Sequence, residues 1–174
     1  FTAKAPNQRW VSDITYIQLA GGFSYLSLIT DAYSRKIVGF CLNEDLSARG
    51  PLAALKMAFA SNPLRNKLIH HSDRGVQYVS MRYSERLADA KIAPSVGSVG
   101  DSYDNALAET INGLYKAEVI HRRSWRNLEA VELATLDWVD WFNHKRLLGP
   151  IGNIPPAEAE AVYHQQQCQL AMAA

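Results

Sequence analysis

Three runs rich in β-branched and aromatic residues, 10–19, 23–30 and 36–43, follow one another with only Ala20-Gly21-Gly22 and Asp31-Ala32-Tyr33-Ser34-Arg35 between them. Links that short allow antiparallel neighbours and no crossover, so the chain is expected to open as a three-stranded meander. The pattern then changes. Ser47 offers an N-cap to an alanine-rich helix over 48–60, which stops near Asn62-Pro63; 68–72 reads as a short apolar strand. A second helix is expected over 80–90, with Tyr83, Leu87 and Ala90 on one face, and another short strand over 92–96. A meander followed by alternating helices and strands predicts an α/β fold whose later strands join the first in a mixed five-stranded sheet flanked by helices.

Ribonuclease H-like folds have this element order. Residues 97–103, rich in Gly and Ser, read as a mobile loop; from Asp104, as cap, a helix is expected to about Val119, and a longer one from Asn127 to Leu147 carries Trp138, Trp141 and Phe142. Gly149 to Pro156 breaks regular structure before a short helical tail. The expected organisation is an extended linker over 1–9, a core over 10–148 and a C-terminal tail over 149–174. The chain opens on Phe1, not Met, and reads as a piece of something longer. With 174 residues, 48% of them apolar, it is long enough for one compact domain.

Lys and Arg (18) nearly balance Asp and Glu (17), so no global basic field exists and any nucleic-acid contact must use local patches. Cys41 and Cys168 are far apart, which argues against a disulfide framework and a thiolate zinc site. No run approaches the ~20 apolar residues that span a bilayer. A soluble, cytoplasmic protein is expected.

Within this frame three acids stand out. Asp13 lies inside the first apolar strand (Trp10 to Ile17), Asp73 directly ends the fourth, and Glu109 falls on a helix with 35 residues between it and Asp73. A carboxylate in a strand interior is costly to bury unless it is paired or binds a cation. The end of strand four beside the middle of strand one would bring Asp73 to Asp13, with a helix on the sheet delivering Glu109. Three carboxylates without His or Cys at ligand spacing suit Mg²⁺, and two such ions can activate an attacking oxygen and stabilise a leaving one in phosphodiester chemistry. Individually, Asp73 before Arg74-Gly75 could be a turn residue and Glu109 a solvated one; Asp13 is hardest to explain without a site.

Asn105, Asn112 and Lys116 fall at i−4, i+3 and i+7 from Glu109, on one stripe of its helix, and are expected to face a DNA strand. Arg122, Arg123 and Arg126 surround Trp125, and His144-Lys145-Arg146 follows Trp141-Phe142, patches that suit phosphate binding with base stacking.

The segments Trp10-Val11-Ser12-Asp13, Thr30-Asp31-Ala32-Tyr33-Ser34-Arg35, His71-Ser72-Asp73-Arg74-Gly75, Asp104-Asn105-Ala106-Leu107-Ala108-Glu109 and Trp141-Phe142-Asn143-His144-Lys145-Arg146 together resemble bacterial insertion-sequence transposases of the DDE type. These have an integrase catalytic core related to retroviral integrases. The resemblance is closest to the group whose transposase is fused from two overlapping reading frames. It implies a ribonuclease H-like fold and a catalytic triad of Asp13, Asp73 and Glu109 holding Mg²⁺ or Mn²⁺, two ions when DNA is bound. It further implies strand cleavage at element ends and strand transfer by 3′-hydroxyl attack, with a circularised element as the typical first product. The implied partners are double-stranded DNA, both element ends and target, and further copies of the full-length protein; the implied location is the cytoplasm, at the nucleoid when DNA is bound. Asp31 matches as a structural residue, His71 and Gln77 as residues beside the site, Lys116 as a contact to DNA ends. The helix-turn-helix that reads element ends in this family would precede Phe1. Many relatives carry a His two residues after the Arg of the Asn-His-Lys-Arg segment, where this chain has Leu148.

Three other readings differ in what they require. A metal-dependent nuclease of the same fold would cut without joining; a DNA-binding module would have no need of convergent acids; a glycosidase would need only a carboxylate pair in an aromatic sugar cleft without metal.

Overall fold

The computed structural model describes residues 3–62, 68–73, 77–96 and 102–173. The strands are β1 (Arg9–Leu19), β2 (Gly22–Asp31), β3 (Ile37–Asn43), β4 (Ile69–Ser72) and β5 (Ala93–Val96); the helices are α1 (Arg49–Ser61), α2 (Met81–Asp89), α3 (Ser102–Glu118), α4 (Leu128–His144) and α5 (Pro156–Met172). They build one mixed sheet in the order β3-β2-β1-β4-β5. The meander β1-β2-β3 is antiparallel, and β4 and β5 add in parallel beside β1. This is the ribonuclease H-like arrangement read from the element order.

Alternation along β1 divides the core. Ile17 faces a cluster with Leu26, Leu28, Ile111, Tyr115, Trp138 and Phe142, which packs α3 and α4 on one side of the sheet. Trp10 and Ile14 turn to the other side, where Ala54, Leu55, Tyr83 and Leu87 bring in α1 and α2. Gly39 of β3 is required by the close approach of α1, since a Cβ there would sit 2.2 Å from the carbonyl oxygen of Ala54. On α4, Asn143 locks β3 in place: its Oδ1 accepts from Ile37 N at 2.8 Å and its Nδ2 donates to Ile37 O at 2.9 Å.

Asp31 is structural, as its place in the second turn suggests. Its carboxylate accepts from the backbone N–H of Asn7 and from the N–H and hydroxyl of Ser34, each at 2.8 Å. Helix ends differ from expectation where local polarity misleads. α1 is capped at Ala48 without a side-chain bond, while Ser47 Oγ accepts from Arg49 N at 3.3 Å instead. Asp104, expected as a cap, lies inside α3, which starts at Ser102. The expected loop 97–103 falls outside the described residues over 97–101. α4 ends at His144 rather than near Leu147, and the tail contains the 17-residue α5, led by Pro156 at its first position. No described helix is long and apolar enough to cross a membrane.

Candidate active site

The site is fixed by strand register. β1 and β4 run parallel with Ser12 beside Ser72, and the pairing ends there. One residue further along both chains are Asp13 and Asp73, at the point where β4 leaves the sheet. From the helical side, α3 lays Ala108, Ile111, Asn112, Tyr115 and Val119 against the sheet, and Glu109 stands exposed beside that buried stripe.

Asp13 is the centre of the arrangement. Its Oδ1 accepts from Ile14 N and its Oδ2 from Asn112 Nδ2, both at 2.8 Å. Burial raises the Asp13 pKa above the ordinary carboxylate value, the two hydrogen bonds oppose that rise, and the charges of Asp73 and Glu109 add to it. Asp73 and Glu109, the other two acids predicted from sequence, therefore both lie within electrostatic range of Asp13. Among the described residues, no three His, Cys, Asp or Glu side chains gather closely enough to enclose an ion. A partly desolvated carboxylate repelled by two others is a site that a hard cation relieves. The donor set is all oxygen, which fits Mg²⁺ or Mn²⁺.

Asn112 was expected to face DNA; the structure instead buries it and turns it onto Asp13. Its Oδ1 is buried without a hydrogen-bond partner among the described residues. The physical reason is the helix stripe: 108, 111, 112, 115 and 119 form the inward face of α3, and Asn112 belongs to it despite its polarity. Lys116 lies at the edge of that face, with its ammonium 4.5 Å from the centroid of the Tyr16 ring. Asn105 belongs to α3 by its backbone, and its side chain lies outside the described residues.

His71 is buried in β4, its Nδ1 3.1 Å from Ser95 Oγ. Gln77 is half-buried and donates from Nε2 to Leu46 O at 3.1 Å, which ties the segment after Asp73 to the one after β3. Beneath the acids, Ser12 Oγ and Tyr78 OH are 2.8 Å apart, and Tyr83 OH lies 2.9 Å from His70 Nε2. Sequence reasoning missed Ser12 and Tyr78, although Ser12 directly precedes Asp13 on an otherwise apolar strand.

The basic patches divide. Arg122 and Arg123 are exposed beyond the C-terminal end of α3, Arg123 stacking over Trp125 at 4.3 Å from the ring centroid. Arg146 is committed elsewhere: it pairs with Glu118 and lies over Trp141 and Phe142.

Two family profiles, both described as Integrase core domain, match residues 3–102 and 90–156. The protein of insertion sequence element IS986/IS6110 from Mycobacterium tuberculosis (strain ATCC 25618 / H37Rv) is 51% identical over 173 residues, covering 96% of this chain and 62% of that protein. The transposase for insertion sequence element IS629 of Shigella sonnei is 51% identical over 165 residues, 94% of this chain and 55% of its own. The chain thus spans less than two thirds of the length of these relatives. Among solved structures, the HTLV-2 integrase catalytic core domain in complex with magnesium shares the fold with a TM-score of 0.70 at 14% identity, over 91% of this chain and 99% of that one. The profile matches and the sequence identity agree, and the chain belongs to the integrase core domain family.

Proposed function

We propose that this chain is the catalytic core of a DNA transposase, a polynucleotidyl transferase that cleaves a donor strand at element ends and joins the freed 3′-hydroxyl to another phosphodiester. The observation that carries this reading is the state of Asp13, a half-buried carboxylate oriented by Asn112 and repelled by both Asp73 and Glu109. Asp13, Asp73 and Glu109 would hold Mg²⁺ or Mn²⁺, and two ions with DNA present. Bound there, the metal supplies charge for the attacking and leaving oxygens. The protein's part is orientation: Asn112 holds one oxygen of Asp13 and the Ile14 N–H the other, so that the carboxylate keeps one rotamer.

Double-stranded DNA is the proposed partner, with Lys116 on α3 and Arg122 and Arg123 just beyond the C-terminal end of that helix. Nine residues separate Glu109 from Glu118 at the end of α3, roughly 14 Å of helix, a span that a bound duplex covers. Self-association of the longer protein is also proposed. The outer face of α4 exposes Leu133 and Trp141 along a groove of about 990 Å³, and a second copy is the occupant that two-ended chemistry calls for.

The test is incubation of the longer parent protein with a labelled element-end duplex and Mn²⁺. Joined products support transposition; nicks that never join support a nuclease instead, and binding without any product supports a DNA-binding module.

A further inference from the structure

Beside Asp73 the surface opens into a hollow of about 210 Å³, walled by Ile14 and Tyr16 of β1, Tyr25 of β2, Leu46, and Gln77 and Tyr78. It exists because β4 pairs with β1 only as far as Ser12, which leaves the flank of β1 beyond Asp13 without a neighbouring strand. Tyr16 is 61% exposed there and meets Phe23, itself 52% exposed, edge-on at 5.9 Å between ring centroids. Two large aromatics held at the surface, one of them walling a hollow that Asp73 also lines, are unusual unless something flat covers them. The Lys116 ammonium stands on the Tyr16 ring. The Gln77 amide is fixed by its bond to Leu46 O, and its Oε1 accepts no hydrogen bond among the described residues.

Resting on the proposed DNA chemistry, we propose that this hollow takes one unpaired nucleobase of the strand lying at Asp73, stacked on Tyr16, with Lys116 engaging the adjoining phosphate. The volume is below that of pockets for drug-sized ligands and accommodates one ring system, not a base pair. The walls are aromatic and aliphatic, which suits a π-face. The acid at the rim disfavours a free anion, whereas the cation on Tyr16 complements a phosphate one bond away from a bound sugar. The Gln77 oxygen faces an amino or imino donor of the base. Extruding a base costs a few kcal/mol, least for one already unpaired, and stacking on an aromatic side chain returns a comparable amount. The hollow therefore favours frayed, nicked or mismatched DNA over a fully paired duplex.

The experiment is a titration of the chain, without divalent metal, into a short single-stranded oligonucleotide containing 2-aminopurine and into the fully paired duplex of the same sequence. Wild type, Tyr16→Ala, Tyr16→Phe and Lys116→Met are compared over a range of salt. Tyr16 is exposed, so its replacement leaves the core intact. The expected result is a loss of about 5–150-fold in single-strand affinity for Tyr16→Ala, a much smaller loss for duplex, and recovery with Tyr16→Phe. Lys116→Met weakens both DNAs and reduces the salt slope by about one. Single-strand affinity unchanged in Tyr16→Ala, or lost equally for both DNAs, overturns the base site while leaving the transposase reading untouched. Failure of wild type to bind either DNA overturns both.

Discussion

The side-chain amide of Asn112 donates from Nδ2 to Oδ2 of Asp13 at 2.8 Å, joining a helix to a strand across 99 positions of sequence. The bond fixes the most buried of the three acids. Asn112→Ala is expected to raise the metal concentration needed for half-maximal DNA cleavage about 10–100-fold. Because Asn112 also buries an oxygen without a hydrogen-bond partner among the described residues, the thermal midpoint should move little. A large loss of stability at unchanged metal requirement would show that Asn112 only packs.

Asp13 has a second consequence, for stability. Burial raises its folded pKa, with Asp73 and Glu109 adding to the rise, so the stability it contributes is present below its unfolded pKa and is lost as pH rises through the folded one. At neutral pH without divalent metal the ionised group is a burden. Asp13→Asn should therefore melt higher than wild type in chelator, and added Mg²⁺ should stabilise wild type but not the variant. Differential scanning fluorimetry checks both; a variant that melts lower in chelator contradicts the charge repulsion.

His70 acts in the opposite pH direction. It is fully buried against Tyr83, and burial lowers its pKa from 6.5 to about 4. The unfolded chain takes up a proton near pH 6.5 while the folded one does not, so stability falls as pH drops from about 6.5 to about 4, by roughly 3 kcal/mol in all. Urea midpoints across that window should show the loss in wild type and a shallower one in His70→Gln.

Much of this architecture was legible in the chain. The short links between the first three strands leave only a meander, and Asp73 at the end of strand four sits by Asp13 because β4 pairs with β1 in register at Ser12 and Ser72. Polarity misled where burial and hydrogen bonding compete. Asn112 looks like a surface residue until α3 is seen to bury 108, 111, 112, 115 and 119 together. Arg146 looks like a phosphate ligand, but its partner Glu118 lies 28 positions earlier, on another helix. Tyr16 reads as an ordinary strand residue, since nothing local reveals that β4 stops short of it.

The amide clamp from α4 to β3 should be costly to remove. Asn143→Ala strands the buried N–H and C=O of Ile37, each worth about 1–3 kcal/mol when left unpaired, so equilibrium unfolding should report a loss of about 2–6 kcal/mol.

On the outer face of α4, Leu133→Glu places a charge at an exposed apolar position beside the large groove. If two copies meet there, sedimentation of the longer protein should shift toward monomer with no change in thermal midpoint. An unaltered distribution moves the contact elsewhere.

If the three separated carboxylates act as one catalytic site, exposed Glu109 is as necessary to it as half-buried Asp13. The decisive measurement is formation of joined DNA product from a labelled element-end duplex with Mn²⁺, comparing wild type with Glu109→Gln, a change that removes charge at almost constant volume. Joined product is expected from wild type and none from the variant, with DNA affinity preserved. Joining at an undiminished rate by Glu109→Gln would contradict the three-acid site.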